Sequence, residues 1–239
     1  MSDPFKDMEL RLSNVIDEDS EFIPLLTQED EEIMNNEKLP ESLPILPLRN
    51  TVLFPGVVIP ITVGRDKSIH LIRDAYKGDK TIGVISQRND SIEDPAPEDL
   101  HQVGTIAHII KQLRMPDGST TVIIQGKRRF KIKEFLQTEP YMRAGVEAIA
   151  EIKPPKNDKE FAALVGSLKD LAVQIIKQSP QIPTEASFAI NNIESASFLI
   201  NFISSNSNVA SEEKQKMLEL PDLRERATKV LTHLTQELQ

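Results

Sequence analysis

Residues 105–133, TIAHIIKQLRMPDGSTTVIIQGKRRFKIK, place two runs rich in Ile, Val and Thr on either side of Pro116-Asp117-Gly118. β-Branched residues favour a pleated backbone, and Pro-Asp-Gly supplies a preset φ, a side-chain acceptor and a residue tolerant of positive φ. The stretch predicts a β-hairpin with strands at 105–115 and 119–133. In the second strand, alternation sets Val122, Ile124, Phe130 and Ile132 on one face and Lys127, Arg129, Lys131 and Lys133 on the other.

Outward from the hairpin, further short apolar runs lie at 43–48, 57–63, 82–87 and 142–152. Pro44, Pro47, Pro55 and Pro60 punctuate the first two, and proline removes a ladder donor, so both are predicted at sheet edges or bulges. A helix is predicted over 65–77, with Ile69, Ile72 and Tyr76 on one face and Gly78 as its stop. Six short strands around one helix, without the βαβ rhythm of a nucleotide-binding sheet, indicate a small, mostly antiparallel, barrel-like β domain.

Glycine usage divides the chain. Eight of the nine glycines lie between Gly56 and Gly145, and none follows Gly166. Beyond Pro154-Pro155, Phe161, Leu164, Val165, Leu168, Leu171, Ile175 and Ile176 repeat at helical spacing, and further helical segments follow at 187–193, 197–204, 211–218 and from Pro221. The fold class is therefore α+β: a β-rich domain at 41–153 and an all-α bundle at 154–239. The last helix has no Gly or Asn stop, which reads as an interrupted element and the chain as a fragment.

The net charge of −9 is carried by residues 1–40, which hold 12 of the 37 acids and 3 of the 28 bases. The remaining 25 acids and 25 bases cancel over 41–239, which argues against body-wide steering of nucleic acid. Runs such as Asp17-Glu18-Asp19 and Glu29-Asp30-Glu31-Glu32 repel themselves, so 1–40 is expected to be an acidic, solvated tail. The apolar island Phe22-Ile23-Pro24-Leu25-Leu26 within it is a docking motif or a chance cluster.

Chemistry is sparse. With no cysteine, disulfides, thiolate metal sites and thiol nucleophiles are excluded. Gly126-Lys127 fails as a phosphate loop, because Thr121 stands where a glycine is required and Arg128 where Ser or Thr would meet magnesium. His70, His101, His108 and His233 are scattered without metal spacing, and no GxSxG elbow occurs. No catalytic, cofactor-binding or metal residue is therefore assigned. No stretch reaches the roughly 18 apolar residues of a membrane span. The N-terminus lacks signal- or transit-peptide character, so a cytoplasmic location is expected. The basic strand with Lys127, Arg128, Arg129, Lys131 and Lys133 is a solvated face or, alternatively, a nucleic-acid-binding face.

The segments LPILPLRNTVLFPG at 43–56, IPITVGRDKS at 59–68, DLHQVGTIA at 99–107, MPDG at 115–118, QGKRRF at 125–130 and EPYMRA at 139–144 form an ordered set. With SFLINFIS at 197–204, EEKQKMLE at 212–219 and DLRERA at 222–227, that set resembles the N-terminal substrate-binding region of the Lon family of ATP-dependent proteases. The resemblance covers about 41–239 and omits the acidic tail. It implies the recognition end of a hexameric, ATP-driven serine protease whose ATPase module, with ATP and magnesium, and Ser–Lys protease module lie outside this chain. The chain itself is then not an enzyme, and its partners are unfolded or damaged proteins. Such a partner requires exposed apolar surface on a rigid scaffold. The candidates are Met115 and Leu113 at the hairpin, and Leu53, Phe54 and Val57 around Pro55. A stand-alone interaction protein with the same domain is the remaining alternative.

Overall fold

The hairpin forms as β4 (Val103–Arg114) and β5 (Thr120–Gln137) in the computed structural model, which describes residues 26–180 and 185–238. At its turn the Gly118 N–H donates to Met115 O (3.0 Å), and Asp117 Oδ1 accepts from the Ser119 N–H (2.9 Å) and hydroxyl (2.7 Å). These bonds also hold the Asp117 carboxyl below its ordinary pKa.

β5 is long because it serves several neighbours. One side runs along β4; its first part pairs with β2 (Val58–Val63) and its last part with β6 (Arg143–Ala148). With β3 (Thr81–Ser86) and β1 (Ser42–Leu48), the order is β2-β5-β4-β3-β1-β6, and β6 returns to β5. The sheet therefore closes on itself, which leaves few edges to protect. β1 and β3 run parallel; the other pairings are antiparallel. Register shifts in β4–β5 and β5–β6 bend the long strand around the closure.

The prolines explain themselves differently in the two runs. Gly126 N–H bonds to Val57 O (2.9 Å), so odd residues of β2 face β5 and Pro60 faces the open edge. There its missing donor costs no ladder bond and blunts the edge against further pairing. β1 corrects the expectation, since it lies inside the sheet. It changes partner midway: 42–44 pair with β6, and 45–48 with β3. Pro44 and Pro47 each stand where only one neighbour is bonded, which the proline rule allows.

The helix α2 (Asp66–Lys77), between β2 and β3, buries Ser68, Leu71, Ile72 and Ala75, while Ile69 and Tyr76 flank that face. Gly78 ends it, donating to Asp74 O and Ala75 O. Side chains such as Leu46, Ile82, Val84, Ile109, Val122 and Ile124 pack in one core cluster with Leu71, Ile72 and Ala75 of α2. A second cluster around Leu43, Ile45, Ile85, Ile106, Phe130 and Ile132 lies on the opposite face of β1, β3 and β4. Burial of each such side chain stabilises the fold by roughly 1.5–3 kcal/mol.

After β6 the chain becomes helical: α3 (Lys159–Gln178), α4 (Glu185–Asn192), α5 (Ala196–Asn206), α6 (Ser211–Glu219) and α7 (Leu223–Glu237). Side-chain caps set three of the starts: Asp158 accepts from the Phe161 N–H, Ser195 from Phe198, and Asp222 from Arg224 and Glu225. The bundle does not stand apart from the sheet. Val52, Phe54 and Val57 join Leu168, Phe198, Leu199, Leu223 and Val230 in one shared core. Ile152, just past the sheet, exchanges backbone bonds with Pro221 (2.9 Å) and Leu223 (3.0 Å).

The described part of the acidic segment corrects the solvated-tail reading. Gln28–Asn36 form a helix, α1, whose start is a capping box between Thr27 and Asp30. Glu31 and Met34 are buried against the body, as is Leu26. The acidic run Asp17–Asp19 and most of the apolar island, Phe22 to Leu25, lie outside the described residues.

Candidate polypeptide-binding surface

Two places on the molecule carry the residues singled out above: the hairpin tip and the seam between sheet and helices. Past Ile109, β4 bonds only to β5, so the end of the hairpin projects beyond β3. Met115 is 36% exposed and Leu113 half-buried there. The structure adds Ile110, 45% exposed, at the β-bulge between Ile109 and Lys111. Alternation alone hides Ile110, because a bulge changes the face that a side chain takes. Three apolar side chains are thus displayed on a short rigid ribbon flanked by Lys111 and Arg114.

Leu53, Phe54 and Val57 are a correction: all three are buried and offer no accessible face. They sit on the loop that crosses β5 at Gly126. A Cβ at Gly126 would approach Phe54 O to 2.3 Å, so this glycine is present for backbone contact. Gly56 N–H bonds to Gly126 O (2.9 Å), and Thr105 Oγ1 donates to Leu53 O (2.6 Å). Gly56 has φ +80°, and a Cβ there would reach Phe198 Cδ2 at 2.7 Å. The loop is the sheet's half of the seam.

The basic strand is divided among three environments. Arg129 is buried, and its Nη1 donates to Leu218 O and Leu220 O, both 2.9 Å, at the end of α6. This corrects its placement on a solvent face. Burial, with the nearby Arg226 charge, brings its pKa down to about 10, so it stays cationic at neutral pH. Arg128 donates to Glu37 O (3.2 Å), and Lys127 lies 3.9 Å from the Glu37 carboxylate. Lys131 and Lys133 are exposed. The five bases do not form one contiguous cationic face.

Arg226 is the second buried cation of the seam. Its Nη1 donates to Glu151 Oε1 (3.0 Å) and Asn201 Oδ1 (2.9 Å), and its Nη2 to Leu220 O (2.6 Å). Ser197 donates to Glu151 Oε2 at 2.8 Å. Burial lowers the Arg226 pKa, and Glu151 opposes that shift. Groups from sheet, linker and helices therefore meet in one polar cluster, so the seam is fixed geometrically. Arg226 stands three residues after Leu223 and four before Val230, which sets it beside the apolar stripe of α7.

No group of three or more His, Asp or Glu residues with metal-holding geometry occurs among the described residues. No described helix is long and apolar enough to cross a membrane. Other large exposed apolar side chains are Leu136, Ile33, Ile152 and Phe188, the last 74% exposed on α4.

A family model described as the ATP-dependent protease La (LON) substrate-binding domain matches residues 42–236. The Lon protease of Flavobacterium johnsoniae is 60% identical over 223 residues, 93% of this chain and 27% of that protein. The Lon protease of Dictyoglomus thermophilum is 40% identical over 211 residues, 88% of this chain and 26% of its own length. The chain thus spans about a quarter of the length of these relatives. Among solved structures, the N-terminal domain of Mycobacterium avium complex Lon protease aligns with a TM-score of 0.66 at 22% identity. That alignment covers 81% of this chain and 98% of the other, and shows a shared fold. A Lon N-terminal domain protein from Xanthomonas campestris aligns with a TM-score of 0.56 at 18% identity, covering 80% and 97%.

Proposed function

The chain belongs to the Lon substrate-binding domain family, and from that premise we propose that it captures unfolded protein segments for an ATP-driven serine protease. The family match over 42–236 carries the reading. The ATPase and peptidase chemistry would reside in parts of a longer protein beyond the quarter spanned here, acting as a cytoplasmic hexamer. This chain's own task is binding.

The mechanism follows from surface chemistry. Unfolded proteins differ from folded ones in exposing apolar and aromatic side chains normally kept inside. Ile110, Leu113 and Met115 on the hairpin tip present such residues with a matching surface. Met115 adds an unbranched thioether that adapts to varied partners, which suits recognition without a fixed sequence. β5 pairs with both β4 and β2 as far as Thr120, so the backbone below the turn is already ordered and little ordering entropy is lost on binding. Each contact is weak, and repetition around an oligomer raises avidity without new contacts.

The test uses one labelled protein in two forms, native and permanently unfolded, titrated against this chain without ATP. The unfolded form is expected to bind at least tenfold more tightly. Equal affinity for both forms overturns the proposal.

A further inference from the structure

Helix α1 lies outside residues 42–236, the stretch matched by the family model, yet it covers a groove built from residues inside it. The groove runs between β5 at Lys127–Arg129, the strand exit at 149–153 and the start of α5 at Ser195–Asn201. Its walls are held together without α1: Arg129 bonds to Leu218 O and Leu220 O, and Asn201 Nδ2 reaches Pro55 O at 3.4 Å.

Few side chains hold α1 in place. Leu26 and Met34 supply its buried apolar contacts. Glu31, one turn before Met34 on the same face, receives Lys153 Nζ at 2.5 Å and the Ser195 hydroxyl. Two acids of this segment meet bases that line the groove, Glu31 at Lys153 and Glu37 at Lys127 (3.9 Å), so the contact joins opposite charges. The fit is incomplete. A half-open cleft of about 300 Å³ lies beside α1, bordered by Leu26, Met34, Ile149 and Phe198. Buried Arg129 borders the same space, and its Nη2 has no hydrogen-bond partner among the described residues. Buried donors are normally paired, and this one is not.

We infer that this groove is a docking site for an acidic amphipathic helix of a partner polypeptide, and that α1 is a tethered occupant which the partner displaces. The inference rests on the polypeptide-capture reading and adds a second, chemically distinct site to the hairpin tip. A fitting segment carries a carboxylate for Lys153 and Ser195 beside an apolar side chain one turn away. A second acid or amide on that segment would satisfy Arg129. Because α1 is covalently attached, its high effective concentration keeps weak competitors out. The groove thereby selects against adventitious peptides.

The test uses a labelled peptide of residues 26–37, LTQEDEEIMNNE, added in trans to the full chain. The double variant Leu26→Ser/Met34→Ser loosens α1 and is expected to bind the peptide at least tenfold more tightly than the unaltered chain. Adding Lys153→Glu is expected to remove that gain. A folded double variant, judged by circular dichroism, that binds no better than the unaltered chain overturns the inference. Should the double variant unfold, hydrogen exchange on the unaltered chain decides. Amides 31–36 are expected to exchange at least a hundredfold faster than those of β5 at 122–125; equal, global exchange of both sets overturns the inference. Capture of an unfolded client, measured on the same proteins, separates the two ideas. If clients bind while the peptide does not, only the strap inference fails.

Discussion

The hairpin tip and the seam start from similar sequence and end in opposite environments. Leu53-Phe54 and Val57 flank a proline-glycine turn, and Leu113 and Met115 directly precede Pro116-Asp117-Gly118. Phe54 and Val57 are buried because Phe198 of α5 and Leu168 of α3 share their core, and Leu53 because it enters the sheet cluster with Leu46 and Val84. The second set stays accessible because the hairpin extends past β3. Apolar pattern therefore specifies which residues seek cover; only the arrangement of layers decides which obtain it. Under the proposed function, the seam fixes geometry and the tip is the part that binds.

The comparison breaks first at the seam. Arg226→Ala leaves buried Asn201 and half-buried Glu151 without their main partner, and should lower unfolding stability by about 3–5 kcal/mol. Denaturant titration checks this; a loss below 1 kcal/mol would mean that the polar cluster does not fix the seam. Gly56→Ala is the next largest. Its positive φ and the approach of Phe198 should together cost about 1–3 kcal/mol in the same assay. At the tip, Ile110→Ser and Met115→Ser should each move stability by no more than about 0.5 kcal/mol. Client binding should nonetheless weaken several-fold.

The smallest effect is a pH dependence. Burial, reinforced by Lys127 and Lys80, holds His108 below its ordinary value of 6.5, and burial does the same for His101. The unfolded chain then binds more protons than the folded one near that pH. Stability from this source is complete above pH 6.5 and declines as pH falls through the lowered values. His108→Gln should flatten the slope of stability against pH between 5 and 7, measured by thermal melts.

Much of the sheet was legible because its signals are local. Period-two alternation and Pro-Asp-Gly mark the hairpin, and helix 66–77 lies within one residue of its expected start. Long-range packing was not legible. β1 was misplaced because its two prolines suggested an edge, whereas the strand exchanges one partner for another at Ile45. Arg129 was placed in solvent by alternation, but the carbonyls that bury it come from Leu218 and Leu220, about ninety residues away. In α1, charge repulsion argued for a solvated chain, while a capping box and the pairing of Glu31 with Lys153 outweighed it. Of the candidate site, Met115 and Leu113 were readable from the turn, and Ile110 required the bulge.

Capture of unfolded protein by the hairpin tip is the central claim. Its most direct test is a titration of one unfolded, labelled protein against the chain and against its Ile110→Ser/Leu113→Ser/Met115→Ser variant. The account expects an at least tenfold weaker affinity for the variant with an unchanged melting transition. Unchanged affinity in a fully folded variant would contradict it.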